Sequence, residues 1–161
     1  MKRKGVPFIS QSAIIAALYV VLTMISNMLG LASGAVQLRL SEALAILPVF
    51  TGAAVPGLFV GCLISNLLSG CIALDIIFGS LATLIGAYGT YTLRRFKILP
   101  FIPPVLANTL IIPFLLVYAY GIEGTVGFFV LTVGAGELLS CGLLGYLLRT
   151  AIKKRSSGFK W

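Results

Sequence analysis

The chain has 161 residues, of which 59% are hydrophobic and only 10% are charged. This composition excludes an ordinary water-soluble domain. A spanning helix needs about 20 apolar residues, so the length predicts about six membrane crossings and no separate soluble domain.

The hydrophobic pattern predicts an all-α integral membrane protein, a compact bundle of six transmembrane helices. The predicted spans cover approximately residues 9–29, 41–54, 57–68, 72–93, 100–120 and 125–148. The second and third spans are short for a straight crossing. Pro56-Gly57 is expected to end the second span, Pro103-Pro104 to begin the fifth, and Pro113 to kink it.

The net charge of +8 comes mainly from three short basic clusters. They are Lys2-Arg3-Lys4, Arg94-Arg95-Lys97, and Arg149 with Lys153-Lys154-Arg155 and Lys160. Short basic segments mark the cytoplasmic side of membrane proteins, and six spans place all three clusters and both termini on that side. The same rule explains the charge without a nucleic-acid partner.

Pairs of small residues recur at helical spacing, and such pairs let two helices approach closely in a membrane. They are Ala13-xxx-Ala17, Gly57-xxx-Gly61, Ala82-xxx-Gly86 and Cys141-xxx-Gly145. We expect most of them to serve internal packing, while the pair in the first span could instead form a docking face for a partner helix.

Several kinds of chemistry lack their starting materials. The chain has no histidine, and its three cysteines lack CxxC spacing, so we expect no metal site, no disulfide framework and no catalytic residues. No Walker motif is present, so the chain is not expected to use ATP itself. These features argue against an enzyme.

The four acidic residues are the most informative feature, because none falls in a predicted cytoplasmic loop. Intramembrane carboxylates cost about 2.5–3.5 kcal/mol at a helix centre and normally face a cavity or a partner. Glu137, halfway along the sixth span, is the strongest candidate for a binding residue. Glu123 lies in an outer loop, where solvation explains it.

The other two acids, Glu42 and Asp75, fall near the outer ends of their spans. Other polar residues lie on the same side, and together they predict one outward-facing mouth: Gln37, Arg39, Asn66 and Ser69. The alternatives are an ion pair between Glu42 and Arg39 and an N-cap role for Asp75.

Three further residues are candidates for ligand contact. Asn108 lies in an apolar run and needs either an interhelical hydrogen bond or a ligand. Phe78 and Phe128 could stack on a flat ligand. For the tyrosines of the fifth span, Tyr118 and Tyr120, interface anchoring is the expectation.

Three stretches resemble the QueT family: residues 37–44 (QLRLSEAL), Pro48 to Pro56, and residues 75–84 (DIIFGSLATL). The resemblance extends over nearly the whole chain. It implies a substrate-binding S component of an energy-coupling factor (ECF) transporter for queuosine precursors, the 7-deazaguanine bases. Such a component works in the cell membrane of a prokaryote with a transmembrane T subunit and two ATPases, which use the ATP.

The resemblance also implies two contact regions. Ala13, Ala16 and Ala17 match an AxxxA-like motif that docks on the T subunit. Substrate is expected to bind from outside beneath the loop from Gly30 to Leu40. The S component is expected to topple in the membrane when ATP is used.

The proposed ligand suggests roles for the candidates. A guanine-like edge offers N–H donors to a carboxylate, and an aminomethyl substituent would be cationic and prefer a second acid. We expect Glu137 to take the base edge and Asp75 or Glu42 the substituent. The remaining polar contacts are expected from Gln37, Asn66 or Asn108, and the ring contacts from Phe78 or Phe128. Rival interpretations are an S component for another vitamin-like substrate and a small non-transporting scaffold or pore.

Overall fold

The computed structural model describes residues 5–31 and 37–157, and within these ranges all regular secondary structure is helical. Six helical segments follow one another along this part of the chain. Helix 1 is Gly5–Met28, helix 2 is Leu40–Val49, helix 3 is Ala54–Leu68, helix 4 is Ala73–Thr92, helix 5 is Leu99–Ala119, and helix 6 runs from Val126 to Ser157. The first basic cluster, Lys160, and residues 32–36 of the loop after helix 1 lie outside the described residues.

Four of the six segments, helices 1, 4, 5 and 6, are long and apolar enough to cross a membrane. Helix 2 is a 3-10 helix of 10 residues and helix 3 has 15 residues, so each spans roughly 20 Å, less than the bilayer's apolar core of about 30 Å. Helix 2 ends at Val49 rather than at Pro56-Gly57. Those two residues lie in the first turn of helix 3, where a proline ring costs no hydrogen bond.

Helices 1 and 3 are held together by two glycines. A Cβ atom on Gly61 would lie 2.7 Å from the Cβ of Tyr19, and one on Gly57 would lie 2.7 Å from the carbonyl oxygen of Ser12. The backbones therefore approach more closely than any larger residue would allow. In the same way, Gly86 of helix 4 meets Pro104 of helix 5 at 2.7 Å. The Gly57 and Ala82 pairs thus serve internal packing, as expected.

Helices 5 and 6 both depart from regular α geometry. Helix 5 begins with a 3-10 turn, contains Pro113, and ends in the π-helical stretch Leu115–Ala119. Helix 6 changes to π geometry over Leu138–Leu144, directly after Glu137. Such π segments are frequent at functional sites.

The bundle has two unlike ends. At one end, termed the basic end, lie Arg94-Arg95-Lys97 and the C-terminal part of helix 6. There the guanidinium of Arg149 is buried and donates to the carbonyl oxygens of Phe96 and Lys97. At the opposite end, termed the cavity end, helices 1, 3 and 5 finish and helices 4 and 6 begin.

Candidate functional site

A polar cavity of about 410 Å³ opens at the cavity end. We term it the wide cavity. Its wall comes from helices 1, 3, 4 and 5, together with the segments that connect the helices. It consists of Thr23, Asn27, Gln37, Arg39, Asn66, Ser69, Cys71, Asp75, Ile112, Leu115, Leu116, Tyr120 and Ile122. Small-molecule sites typically measure about 300–1,000 Å³, so the wide cavity has room for a ligand with one or two rings.

A second, much smaller space of about 20 Å³ lies nearer the middle of the helices. We term it the deep cavity. It is lined by Gln37, Arg39, Glu42, Gly79, Thr83, Asn108, Ile112, Val133 and Glu137. Gln37, Arg39 and Ile112 line both spaces, so the deep cavity adjoins the floor of the wide one. Its volume suits one water-sized group.

Gly79 helps to keep the region between the two spaces open. A Cβ atom at this position would lie 3.2 Å from the amide nitrogen of Asn66 and 3.2 Å from a carboxylate oxygen of Asp75. The polar ends of these two side chains therefore converge on a residue that has no side chain. A ligand group has space there that alanine would remove.

Glu137 provides the free acceptor of the deep cavity. Its side chain is only 8% exposed, and its Oε1 atom accepts a hydrogen bond of 2.9 Å from the amide of Asn108. Its buried Oε2 atom has no hydrogen-bond partner. Asn108 therefore holds and orients Glu137, which leaves one oxygen for a ligand.

Glu42 lies beside Glu137 but is held from other directions. The hydroxyl of Tyr19, a fully buried side chain, donates to the Oε1 atom of Glu42. The thiol of Cys141 donates to the backbone carbonyl of Glu42 at 3.2 Å. One side-chain oxygen each from Glu42 and Glu137 and the Cys141 sulfur lie within 4.8 Å of one another.

Arg39 is the cation that lines both cavities, and no ion pair joins it to any residue in the described ranges. The ion pair with Glu42, which was one of two alternatives, is therefore absent from these ranges, and the Oε1 atom of Glu42 accepts from Tyr19. The segment that carries Arg39 is fixed against helix 6. The carbonyl oxygen of Gln37 abuts the Cα of Gly136, so that a Cβ atom would overlap it.

Asp75 is buried in the wall of the wide cavity rather than capping helix 4. The N-cap position is occupied by Ile72, and no side chain caps it. The hydroxyl of Tyr120 donates to the Oδ2 atom of Asp75 at 2.9 Å. Burial, this hydrogen bond and the carboxylate charge raise the pKa of the Tyr120 hydroxyl above its ordinary value of 10.0, so Tyr120 stays a neutral donor at physiological pH.

The family model described as "QueT transporter" matches residues 9–154. The chain belongs to the QueT transporter family. Neither the curated proteins nor the solved structures contain a match. QueT is a family of transporters, so this QueT protein is not an enzyme, and its apolar helices fit a multi-pass membrane protein.

Seven sequence-predicted site residues of this QueT protein lie together around the two cavities. They are Gln37, Arg39, Glu42, Asn66, Asp75, Asn108 and Glu137. The two predicted ring contacts lie elsewhere. Phe78 is 45% exposed and lines an apolar groove with Phe114 and Tyr118, while Phe128 is 52% exposed and packs edge-on against Phe129. Glu123 is exposed, as expected for a solvated loop acid.

Tyr19 and Tyr120 hold two of the site's acids but were not among the predicted site residues. Tyr120 was expected to anchor at the membrane interface, but it lines the cavity and bonds to Asp75. Amphipathic rings favour both positions equally, so only the packing distinguishes them. Tyr19 carried one usable signal, a hydroxyl in the middle of an apolar helix that needs an acceptor.

The three alanines of the expected docking motif face different ways. Ala13 and Ala17 are exposed on helix 1. Ala16 is buried, and its backbone lies against Gly61 of helix 3. The exposed small-residue surface of helix 1 therefore consists of Ala13 and Ala17, and Ala16 belongs to the interior.

Proposed function

We propose that this QueT protein is the substrate-binding S component of an ECF importer that takes up queuosine precursors, the 7-deazaguanine bases. The observation that carries the proposal is the pair of adjoining cavities within an apolar helical bundle. Three of the chain's four acids line them. Because burying a carboxylate among apolar helices is costly, three acids around these two adjoining cavities favour a ligand with several N–H donors.

The proposal includes six membrane crossings, with both termini in the cytoplasm of a prokaryote and the wide cavity open to the outside. The described basic clusters lie at the opposite end from the cavity, which agrees with this orientation under the positive-inside rule. Helices 2 and 3 cross as short segments enclosed by the longer ones. If this orientation is correct, a membrane-impermeant thiol reagent added outside the cell should label a cysteine substituted for Glu123. It should not label a cysteine substituted for Arg94.

The cavity sizes favour a definite orientation of the ligand. The bicyclic base fits the wide cavity, where Asp75 and Asn66 can meet its N–H and carbonyl groups. Only a substituent of a few atoms fits the deep cavity beside Glu137. This assignment reverses the one expected from sequence, in which Glu137 takes the base edge.

The decisive experiment is a calorimetric titration of the purified chain with aminomethyl- and cyano-7-deazaguanine, queuine and guanine. We expect saturable binding that prefers a deazaguanine and weakens in Asp75→Asn. Glu123→Gln is the matched control, because it makes the same kind of acid-to-amide change outside the cavities. No binding by folded protein would refute the substrate assignment and turn the search to other vitamin-like compounds. Indifference to every small solute would favour a scaffold or pore.

The proposed importer also contains a T subunit and two ATPases. The ATPases use ATP, and this chain binds no cofactor. We propose that Ala13 and Ala17 form the docking surface, because both are small and exposed. Replacing both by leucine should abolish copurification with the T subunit and leave substrate affinity unchanged. Ala151→Leu, an equal increase in size on the exposed face of helix 6, is the control.

A further inference from the structure

The deep cavity contains more negative than positive groups. Glu42 and Glu137 bring carboxylate oxygens within 4.8 Å of each other, and Arg39 is the cation among the lining residues. Two carboxylates so close in a region of low dielectric repel strongly, and one of them holds a proton unless a second cation arrives. One of the two carboxylates is therefore the site of the proton, and a second cation can replace that proton.

Hydrogen bonding distinguishes the two acids. Glu42 accepts from the Tyr19 hydroxyl, which favours its ionised form. Arg39 lines the deep cavity together with both acids and does not distinguish them. Glu137 accepts from Asn108 through one oxygen, and its other oxygen has no partner. A proton on that second oxygen would point to the deep cavity, where one water molecule fits and can accept it.

The surroundings of the pair supply no further cation within the described residues. The titratable or charged groups that face it are Tyr19 from helix 1, Cys62 from helix 3, Cys141 from helix 6 itself, and Arg39. Asp75 of helix 4 faces Arg39 from the other side. Helix 5 contributes the neutral Asn108. All except Arg39 are neutral or acidic.

We propose that Glu137 carries a proton while the cavities hold no substrate, and that it exchanges this proton for a primary ammonium group on the substrate. The inference deepens the proposed function and rests on it. On this proposal the deep cavity binds a short, positively charged substituent of the base. An aminomethyl group supplies such a charge, and guanine has no equivalent group.

The exchange conserves charge. The ammonium group reaches the Oε2 atom of Glu137, the O–H bond of the carboxyl breaks, and the proton leaves to water through the wide cavity. One positive charge enters and one leaves, and the carboxylate then accepts from the ammonium. A nitrile in place of the aminomethyl group is neutral, so the proton stays on Glu137.

Infrared spectroscopy tests the protonation without any ligand. The ligand-free protein should show the C=O stretching band of a protonated carboxyl. Glu137→Gln, which imitates the protonated acid in shape, should lose the band, and Glu123→Gln should keep it. If the glutamine variant does not fold, Glu137→Asp serves instead and should shift the band. Absence of the band in wild-type protein overturns the proposal.

Calorimetry tests the exchange. Titrations with aminomethyl- and cyano-7-deazaguanine, in buffers of different ionisation enthalpy, should show about one proton released for the first ligand and about none for the second. Glu137→Gln should weaken binding of the aminomethyl compound by about 10- to 150-fold. The loss of affinity for the cyano compound should be smaller by a factor of about three or more, because the nitrile leaves Glu137 neutral. Equal losses for the two compounds would contradict the exchange.

The two experiments separate failure of the inference from failure of the proposed function. Tight binding of both compounds with equal proton release overturns the exchange and leaves the transporter assignment intact. No binding of either compound by folded protein overturns the substrate assignment, and the exchange with it, whereas the infrared band still decides whether Glu137 holds a proton.

Discussion

The contact between Gly136 and Gln37 offers a direct perturbation of the site. In Gly136→Ala the new methyl group overlaps the carbonyl oxygen of Gln37 and lies 3.1 Å from its carbonyl carbon. The backbone of residues 37–39 must then move away by on the order of 1 Å to restore ordinary contact. That segment carries Gln37 and Arg39, which line both cavities.

The expected magnitudes differ for stability and binding. Overpacking costs about 1–3 kcal/mol, and alanine recovers up to about 1 kcal/mol through helix propensity, so unfolding stability falls by about 0–3 kcal/mol. Loss of one hydrogen bond from the charged Arg39 costs the ligand about 1.5–3 kcal/mol, which weakens binding by about 10- to 150-fold. The loss in binding free energy is therefore at least comparable to the loss in unfolding stability.

Calorimetric titration and thermal unfolding in detergent measure the two effects. Gly142→Ala is the matched control in the same helix, because a Cβ atom there meets nothing within 4 Å. It should leave affinity unchanged. Unaltered affinity in a folded Gly136→Ala protein would refute the argument that residues 37–39 form the wall between the cavities.

Three further predictions concern Tyr120, Arg149 and Phe78. The folded protein raises the pKa of Tyr120 above 10.0, so the stability that the Tyr120 hydroxyl contributes is complete below that pH and is lost as the pH rises further. Tyr120→Phe should therefore flatten the fall in melting temperature above pH 10.0. An unchanged slope would contradict this. Arg149→Lys should lose one of the two hydrogen bonds to the carbonyl oxygens of Phe96 and Lys97. Trypsin should then cleave faster at Arg94 to Lys97, while substrate affinity stays unaltered. Equal cleavage rates would show that Arg149 does not hold this loop. Phe78→Ala should change substrate affinity by no more than about twofold, because the ring lies on the outer surface. A tenfold loss of affinity in calorimetric titration would show that Phe78 contacts the substrate.

The sequence predicts which polar residues lie close together, because the physical cost of burying them elsewhere is large. A carboxylate or an amide in an apolar run has few tolerable positions, and this cost favours placing Glu42, Asp75, Asn108 and Glu137 around the two adjoining cavities. Aromatic residues carry no such constraint. Phe78 is equally stable against lipid or against a ligand, and the structure places it against the outside.

The partners of the acids were harder to predict. Arg39 is three residues from Glu42, so local spacing favours an ion pair, but Tyr19 reaches Glu42 from another helix. That contact depends on Gly61, which lets helix 1 approach helix 3. Long-range packing of this kind leaves no periodic signal in the sequence. The same holds for the 3-10 geometry of helix 2, whose apolar composition suits either helix type.

Helix 1 joins the two parts of the proposed mechanism physically. Ala13 and Ala17 lie on its exposed face, while Tyr19 and Thr23 lie on its buried face and bond to Glu42 and Ser41 of helix 2. A movement of helix 1 relative to helix 2 must therefore strain the hydrogen bond that orients Glu42 beside Glu137. Since any coupling between two sites is reciprocal, occupation of the deep cavity and engagement of the exposed alanines would influence each other through the hydroxyl of Tyr19. Tyr19→Phe removes that link while it leaves both surfaces in place.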